Sequence, residues 1–544
     1  MKHFNITFKP DGGQISIHAG ATLVEAVARA GIVLNTSCGQ KGTCGKCLVT
    51  IEPGGEQVNA CQYCVRSDLV VTVPDASRLF RPKILEHGVD TDSTYQPDIY
   101  KQYFKSSDTG VLGVAVDIGT STIVAKLIDM TDGKCLATSA ALNPQTRFGD
   151  DVISRINYAQ TDEKLTELHN AVIDCLNQLI EQLCKETANA PEDIFEICAV
   201  GNTTMNHIFL KLPVEQLGRA PYEAFSLDAH DCDPNRLALN INLAGNVHAV
   251  ENIAGFVGAD TTAVALAVDI ESAHCTTLAI DIGTNGELML AAGDKLYAAS
   301  CAAGPAFEGA RIICGGRAVE GAIEAVVLNE DDIDLDVIGN CPPRSICGSG
   351  LVDAVAVMLE LNILDATGCF TEREKIGESL PPKIAARLIQ HKGQPAFLLA
   401  KKTRLQQQGV FLTQRDIRQI QLAKAAIRAG IKLLQKKNGL RDCDIEQVVV
   451  AGAFGNYIRP QSALRIGLMP DVPLERIQFV GNAACSGAQM LLLSNKARDS
   501  ARKLARKIEY VEIANEKDFT DVFADALLFP DMPNRDAATD SSAE

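Results

Sequence analysis

Leu112-Gly113-Val114-Ala115-Val116-Asp117-Ile118-Gly119-Thr120 and, 164 residues later, Thr277-Leu278-Ala279-Ile280-Asp281-Ile282-Gly283-Thr284 spell one pattern twice. In each copy an apolar strand runs into Asp-Ile-Gly-Thr, and a second strand follows, over 123–128 and over 287–290. Two matched strand–turn–strand units require two related halves. Between residue 111 and about 530, apolar β-like runs alternate with helical stretches, so the halves are of the α/β class.

The turns carry chemistry. Gly119 lets the backbone approach a phosphate, and the hydroxyls of Thr120, Ser121 and Thr122 with consecutive N–H groups can take its oxygens. The Asp117 carboxylate would repel an anion unaided but suits a hydrated Mg²⁺. Asp281, Gly283, Thr284, Asn285 and Gly286 repeat the arrangement. A third glycine loop, Ala451-Gly452-Ala453-Phe454-Gly455-Asn456, follows the strand at 448–450, and Gly452 and Gly455 leave room for an adenosine. One Asp-x-Gly is a common β-turn. Two matched copies followed by a strand–glycine loop are far more specific. Their order and spacing resemble the superfamily of acetate and sugar kinases, Hsp70 and actin. The resemblance implies ATP with Mg²⁺ in a cleft between two ribonuclease-H-like halves, with Asp117 and Asp281 as the catalytic carboxylates.

Other stretches are less decisive. Thr413 opens a helix whose Ile417, Ile420, Ile427, Ile431 and Leu434 share one face. Lys424 and Arg428 lie elsewhere on it, placed either to reach adenosine or to form a solvated basic face. Gly348, Ser349 and Gly350 follow Cys347 and open a helix, which suits an anion or merely a tight turn; Gly304 to Gly309 poses the same choice. His207, after Val200-Gly201-Asn202-Thr203, reads as a packed or capping histidine rather than a catalyst.

Residues 1–78 form a different unit. Phe4, Ile6 and Phe8 alternate with polar residues, a Pro-Asp-Gly-Gly turn follows, and Ile15 and Ile17 alternate again, which predicts a β-hairpin. Thr22 and Glu25 have capping-box spacing, Gly31 ends the helix, and 69–73 is a closing strand. The order resembles a β-grasp. Between helix and strand, five of the chain's 18 cysteines fall within 27 residues. The spacing Cys38-x5-Cys44-x2-Cys47-x13-Cys61 gives three thiolates from a glycine-rich loop and a fourth from further on, as a [2Fe-2S] cluster needs. The first gap is one longer than the plant-type spacing. Cys44-x2-Cys47-x13-Cys61-x2-Cys64 also resembles a zinc ribbon, although zinc would leave Cys38 without a role. Hairpin, helix and glycine loop favour the cluster.

Composition narrows the partners. Lys and Arg total 51 against 68 Asp and Glu, a net charge of −17, which argues against nucleic acid. No stretch approaches 18 continuous apolar residues, and no export segment precedes the first hairpin. The expectation is a cytoplasmic protein with no membrane span.

A two-iron ferredoxin joined to this ATPase fold resembles the reductive activators of corrinoid proteins, which include the activating enzymes of O-demethylase systems. The resemblance covers nearly the whole chain: the ferredoxin loop, both Asp-Ile-Gly-Thr turns, 200–205, 304–309, 346–350 and 451–456. It implies ATP-dependent reduction of cob(II)amide to cob(I)amide on a partner corrinoid protein, an external low-potential electron donor, and an ATPase domain for which homodimerisation is open. The domains expected are a ferredoxin-like 1–78, a linker 79–110, a middle domain 111–270, a C-terminal ATPase domain 271–530 and a disordered acidic tail 531–544. The base-off corrinoid motif Asp-x-His-x-x-Gly is not met, because its nearest match, Asp228 to Asp233, ends in Asp. The corrinoid therefore belongs on another polypeptide. The competing function is a redox-sensing ATP-binding regulator or chaperone with an iron–sulfur switch.

Overall fold

Alternating burial of Phe4, Ile6 and Phe8 sets the N-terminal sheet, because a strand with one apolar face must cover it. Strands β1 (His3–Lys9) and β2 (Gln14–His18) form the hairpin. Helix α1 (Leu23–Arg29) crosses the sheet, its start fixed by the Glu25 N–H donating to the Thr22 hydroxyl at 3.2 Å. Strands β3 (Leu48–Glu52), β4 (Glu56–Asn59) and β5 (Leu69–Thr72) complete a five-stranded sheet of order β2-β1-β5-β3-β4, with β1 and β5 parallel. This is the β-grasp read from the sequence, plus the β3–β4 hairpin, which the sequence did not announce. Exposed Glu56 and Gln57 give β4 no apolar alternation to read. In this computed structural model the described residues are 2–9, 13–30, 34, 47–52, 54–74, 77, 95–103, 110–149, 151–309, 311–372, 376, 380–402, 409–452 and 458–531. Cys38, Cys44, Gly31, Gly455, most of the linker and nearly all of the tail lie outside them.

The two Asp-Ile-Gly-Thr copies found equivalent sheets. In the first half β6 (Leu112–Ile118), β7 (Thr122–Asp129) and β8 (Cys135–Leu142) form an antiparallel meander. β9 (Ile194–Gly201) lies parallel to β6 on its other side, then β11 (Asn246–Ala249), with β10 (His230–Cys232) at the edge. Helices α2 (Val152–Tyr158), α3 (Asp162–Thr187), α4 (Thr203–Phe209) and α5 (Ala259–Ala267) belong to this half.

The second half repeats the meander as β12 (Thr277–Ile282), β13 (Gly286–Ala292) and β14 (Lys295–Cys301). A three-stranded sheet of β15 (Ala322–Leu328), β16 (Ile333–Val337) and β17 (Ser345–Ile346) follows, then α6 (Gly348–Glu360). Another small sheet, β18 (Leu388–His391), β19 (Gln394–Ala400) and β20 (Val410–Thr413), leads into α7 (Gln414–Lys437). β21 (Gln447–Ala451) lies parallel to β12 as β9 does to β6, followed by β22 (Ile477–Gly481), and β23 (Glu509–Tyr510) pairs with β14 at the other edge. The register makes the symmetry explicit: Asp117 stands beside Val200, and Asp281 beside Ala451.

Helices α8 (Ala483–Leu493) and α5 pack together between the two sheets, and α9 (Asn495–Lys507) and α10 (Phe519–Leu527) close the chain. Ala259, Ala263, Ala484, Ala488 and Leu491 share one core with Ala115 and Val200 of one sheet and Ala279, Met289 and Val449 of the other. Small residues let the two helices approach closely. At Gly487 a Cβ would lie 2.1 Å from the Ala263 carbonyl oxygen. Residues 95–103 join this body: the Asp98 N–H donates to the Leu493 carbonyl at 3.0 Å, and the Asn495 N–H donates to the Asp98 carboxylate at 2.8 Å.

Candidate functional site

The first cradle is the turn between β6 and β7. A Cβ at Gly119 would stand 2.6 Å from the Thr122 carbonyl oxygen, so the turn needs glycine. Its carbonyls are tied down from behind, where Asn143 Nδ2 donates to Gly119 O at 2.9 Å and the fully buried Arg155 donates to Thr120 O. Asn202 Nδ2 donates to Thr120 Oγ1 at 3.0 Å. With the carbonyls held, the turn's N–H groups are what it can offer an anion. Asp117, at the end of β6, accepts from Asn482 Nδ2 at 2.9 Å. Burial pushes its carboxyl up to about 6, and the Asn482 hydrogen bond opposes the shift.

The second cradle, between β12 and β13, brings three more acids. Asp281 is pushed up to about 7 by burial and by the charges of Asp260 and Asp117. Asp260, in the first turn of α5, is also pushed up to about 7, by burial and by Asp117. Glu287, paired with Asp281 across the hairpin, is raised by burial and by Asp260 and Asp281. Half-buried carboxylates that repel one another ask for a cation. An all-oxygen donor set suits Mg²⁺. Among the described residues no three such side chains close into a ligand set of their own. That fits an ion which keeps its waters and is completed by phosphate oxygens.

Glu308 joins the cradles across the cleft. Ser121 Oγ donates to Glu308 Oε2 at 2.7 Å, Thr284 Oγ1 donates to Glu308 Oε1, and the two hydroxyl oxygens lie 3.2 Å apart. Thus one carboxylate holds one hydroxyl from each half. Gly309, at φ +80°, ends this turn with room only for hydrogen, since a Cβ would meet Gly316 N at 2.5 Å.

The third loop begins against the second cradle. At Gly452 φ is +94°, and a Cβ would lie 2.6 Å from Asp281 Oδ1. Thr122, also proposed for phosphate, is exposed at the start of β7. Gly283 N–H donates to Asn285 O at 2.9 Å, which closes the second turn, and a Cβ at Gly286 would meet Ile427 at 2.8 Å.

Other residues singled out in the sequence go elsewhere. Gly348, Ser349 and Gly350 are buried by packing: Ser349 Oγ donates to Glu324 O at 2.7 Å, and a Cβ at Gly350 would lie 2.4 Å from Ile323 O. Close helix-on-strand contact accounts for Gly350. Lys424 is neither solvated nor turned to a base. Its ammonium is buried, donates to the Leu528 carbonyl and lies 5.1 Å from the Phe529 ring centroid. Burial, with Arg428 and Lys432 nearby, lowers it to about 7. His207 is a packed residue, with Nδ1 2.7 Å from Thr203 O, and burial lowers it to about 4.

In the N-terminal unit, Cys47 and Cys61 are buried with their sulfurs 3.5 Å apart, whereas Cys64 is exposed. Close buried thiols flanking the β3–β4 hairpin fit two ligands of one cluster.

Residues 4–75 match a 2Fe-2S iron-sulfur cluster binding domain, 112–273 the RACo middle region, and 275–539 the C-terminal domain of RACo, the ASKHA domain. The corrinoid activation enzyme RamQ of Eubacterium limosum is 32% identical over 582 residues, which cover 95% of this chain and 98% of the relative. The chain belongs to the reductive activators of corrinoid proteins. The [Co(II) methylated amine-specific corrinoid protein] reductase of Methanosarcina barkeri is 23% identical over 450 residues, 77% of each chain. The solved reductive activator for corrinoid, iron-sulfur protein superposes with a TM-score of 0.73 at 31% identity, covering 97% of this chain and 98% of the other.

This activator therefore joins a [2Fe-2S] β-grasp domain to an actin-like ATPase body, and its cofactors are the cluster and ATP. Two cleft residues escaped the sequence reading. Asp260 sits in an ordinary-looking Gly-Ala-Asp, and Glu308 lay inside a noted glycine loop without being singled out. The only signal for Asp260 is the glycine two residues earlier, where a Cβ would meet Asn202 Cα at 2.4 Å.

Proposed function

We propose that this chain uses ATP in its interdomain cleft to drive one electron from its [2Fe-2S] domain to the cobalt of a separate corrinoid protein, converting inactive cob(II)amide to cob(I)amide. The observation that carries the reading is the symmetric placement of Asp117 and Asp281, with Asp260 between their fields, in a chain that also holds a cluster domain. Asp117 and Asp281 hold a hydrated Mg²⁺, Ser121 and Thr284 with their turns hold phosphates, and Gly452 and Gly455 face the adenosine. Cys38, Cys44, Cys47 and Cys61 bind the irons. The cluster, when bound, stores a single electron and passes it on.

Cob(I)amide is a very strong reductant, so the transfer needs coupled free energy. A cleft whose two halves each supply a hydroxyl and an aspartate changes shape with its nucleotide. That shape selects a partner state in which cobalt is easier to reduce, a shift limited by differential affinity for the two states. An external low-potential donor would supply the electron, and the cytoplasm is the compartment in which it would be found. Among the described residues no helix is long and apolar enough to cross a membrane.

The test mixes the anaerobic holoprotein with a corrinoid protein, a low-potential reductant and ATP, and follows the cob(I)amide spectrum. Appearance only with ATP supports the proposal; cobalt that stays divalent while ATP turns over supports the regulator instead. Asp117→Ala and Asp281→Ala should keep the cluster spectrum and lose ATP hydrolysis by about 10²-fold or more.

A further inference from the structure

Asp336 of β16 has a side chain only 1% exposed, yet it has no cation of its own domain beside it among the described residues. Its partners come from the cluster domain. His3 Nε2 of β1 pairs with Oδ1, Arg29 Nη1 at the end of α1 donates to Oδ2 at 3.0 Å, and His18 Nδ1 of β2 lies 3.5 Å from Oδ2. Burial alone would raise this carboxyl, but His18, Arg29 and His3 more than offset it and leave it below the usual carboxylate range. Arg29 also lies 3.9 Å from Glu324 of β15. A charge of the opposite sense runs the other way: Glu25 of α1 acts on Arg459, which is anchored to Asp353 at 2.9 Å and to the Val326 carbonyl at 3.0 Å.

The rest of the contact is weak in apolar terms. Among the described residues, the hydrophobic core of the N-terminal domain contains none of the ATPase body, and the core around β15 contains none of the N-terminal domain. A cavity of about 230 Å³, lined by His3, Ser16, Ala318, Glu324, Asp336 and residues 337–340, lies between them. Two domains with separate cores, joined by a few paired charges beside a cavity, form a contact that specifies one orientation without making it permanent.

We infer that the β15–β16 face is a docking surface for the chain's own [2Fe-2S] domain, with Asp336 as the receptor of a releasable latch whose tongue is His3, His18 and Arg29. Docking holds the cluster domain in one place on the ATPase body, and opening the latch frees it on its linker. Removing Asp336 removes the shared acceptor of all three groups, so one substitution should open it. The inference needs neither the nucleotide nor the corrinoid partner, so its failure would leave the proposed function standing.

The experiment is hydrogen exchange of the full-length anaerobic holoprotein, read on 333–337 and on β1 and β2, with the cluster absorbance recorded for every variant. Asp336→Arg should raise exchange on both faces by about threefold or more. Pairing it with Arg29→Asp should restore part of the protection. Asp336→Asn, which keeps the size of the side chain, should show the same opening to a smaller degree. Faster exchange confined to β15 and β16, with β1 and β2 unchanged, would mean that Asp336 serves only its own sheet and would overturn the latch. So would wild-type protection on both faces in Asp336→Arg, provided the cluster spectrum is intact.

Discussion

Asn482 Nδ2 donates to Asp117 Oδ2 at 2.9 Å, so a residue at the start of α8, just after edge strand β22 of the second sheet, holds the carboxylate at the end of β6 in the first. The bond favours the ionised acid, while burial favours the neutral one and prevails, leaving Asp117 at about 6. Asn482→Ala removes the opposing contribution and raises Asp117 further. If the ionised carboxylate serves hydrolysis, the acid limb of the ATPase pH profile should move upward by up to about one unit, with little change near pH 8. A limb that stays in place would separate Asn482 from the chemistry.

Divalent cation binding should depend steeply on pH. Asp260 and Asp281 ionise near 7, because burial and mutual repulsion hold their protons. A cation must displace those protons, so its affinity falls as pH drops through that value. The sign for stability follows from the same shifts. Folded carboxyls that bind protons more tightly than unfolded ones make these groups' contribution largest at low pH, and it is lost as pH rises from about 4 to 7. Titration calorimetry with Mg²⁺ in the presence of ADP should give about 10²-fold tighter binding at pH 8 than at pH 6, about tenfold for each proton displaced. Equal affinity at both would exclude these acids from the ion's surroundings.

Cys61 and Cys64 differ in surroundings in a way that separates the cluster from a zinc ribbon. Cys61 is buried 3.5 Å from the Cys47 sulfur, whereas Cys64 is exposed and joins only a single bridge with Thr22. Cys38, a ligand in the cluster reading alone, decides between cluster and ribbon: Cys38→Ala should abolish the visible absorbance of anaerobically purified protein, and Cys64→Ala should keep it. A colourless protein that holds zinc, loses it in Cys64→Ala and keeps it in Cys38→Ala would establish the zinc ribbon.

The parts of this molecule that could be read in advance are those whose chemistry is local. Asp-Ile-Gly-Thr specifies its own turn, because Gly119 has no space for a Cβ, and a second copy fixes the second sheet. Thr413 with Asp416 shows the start of α7 for the same reason: the capping hydrogen bonds lie within three residues. Glu308 meets Ser121 across 187 residues of chain, and no local pattern encodes that distance. The same holds for Asp260 in the fields of Asp117 and Asp281. Gly348 to Gly350 stayed open in the sequence because close packing and anion binding ask for the same small residues at a helix start. Lys424 misled because nothing on its helix tells that the segment at Leu528 and Phe529 lies over it.

Glu308 carries the sharpest prediction for the cleft. Its carboxylate takes the hydrogen-bond donors of Ser121 and Thr284, the hydroxyls proposed for nucleotide phosphate. A phosphate entering the cradles must compete for both donors and lie near a second negative charge. Glu308→Ala frees the hydroxyls and removes that charge, and the residue precedes the tight Gly309 turn without forming its left-handed position. ADP should then bind more tightly, by about tenfold, or about 1.4 kcal/mol. That gain is of the size expected when hydroxyls are no longer committed to a charged acceptor. Calorimetry at pH 8 measures it directly, and cluster absorbance confirms an intact holoprotein. Unchanged or weaker binding would mean that Ser121 and Thr284 do not hold the phosphates, and the cradle would then rest on backbone N–H groups alone.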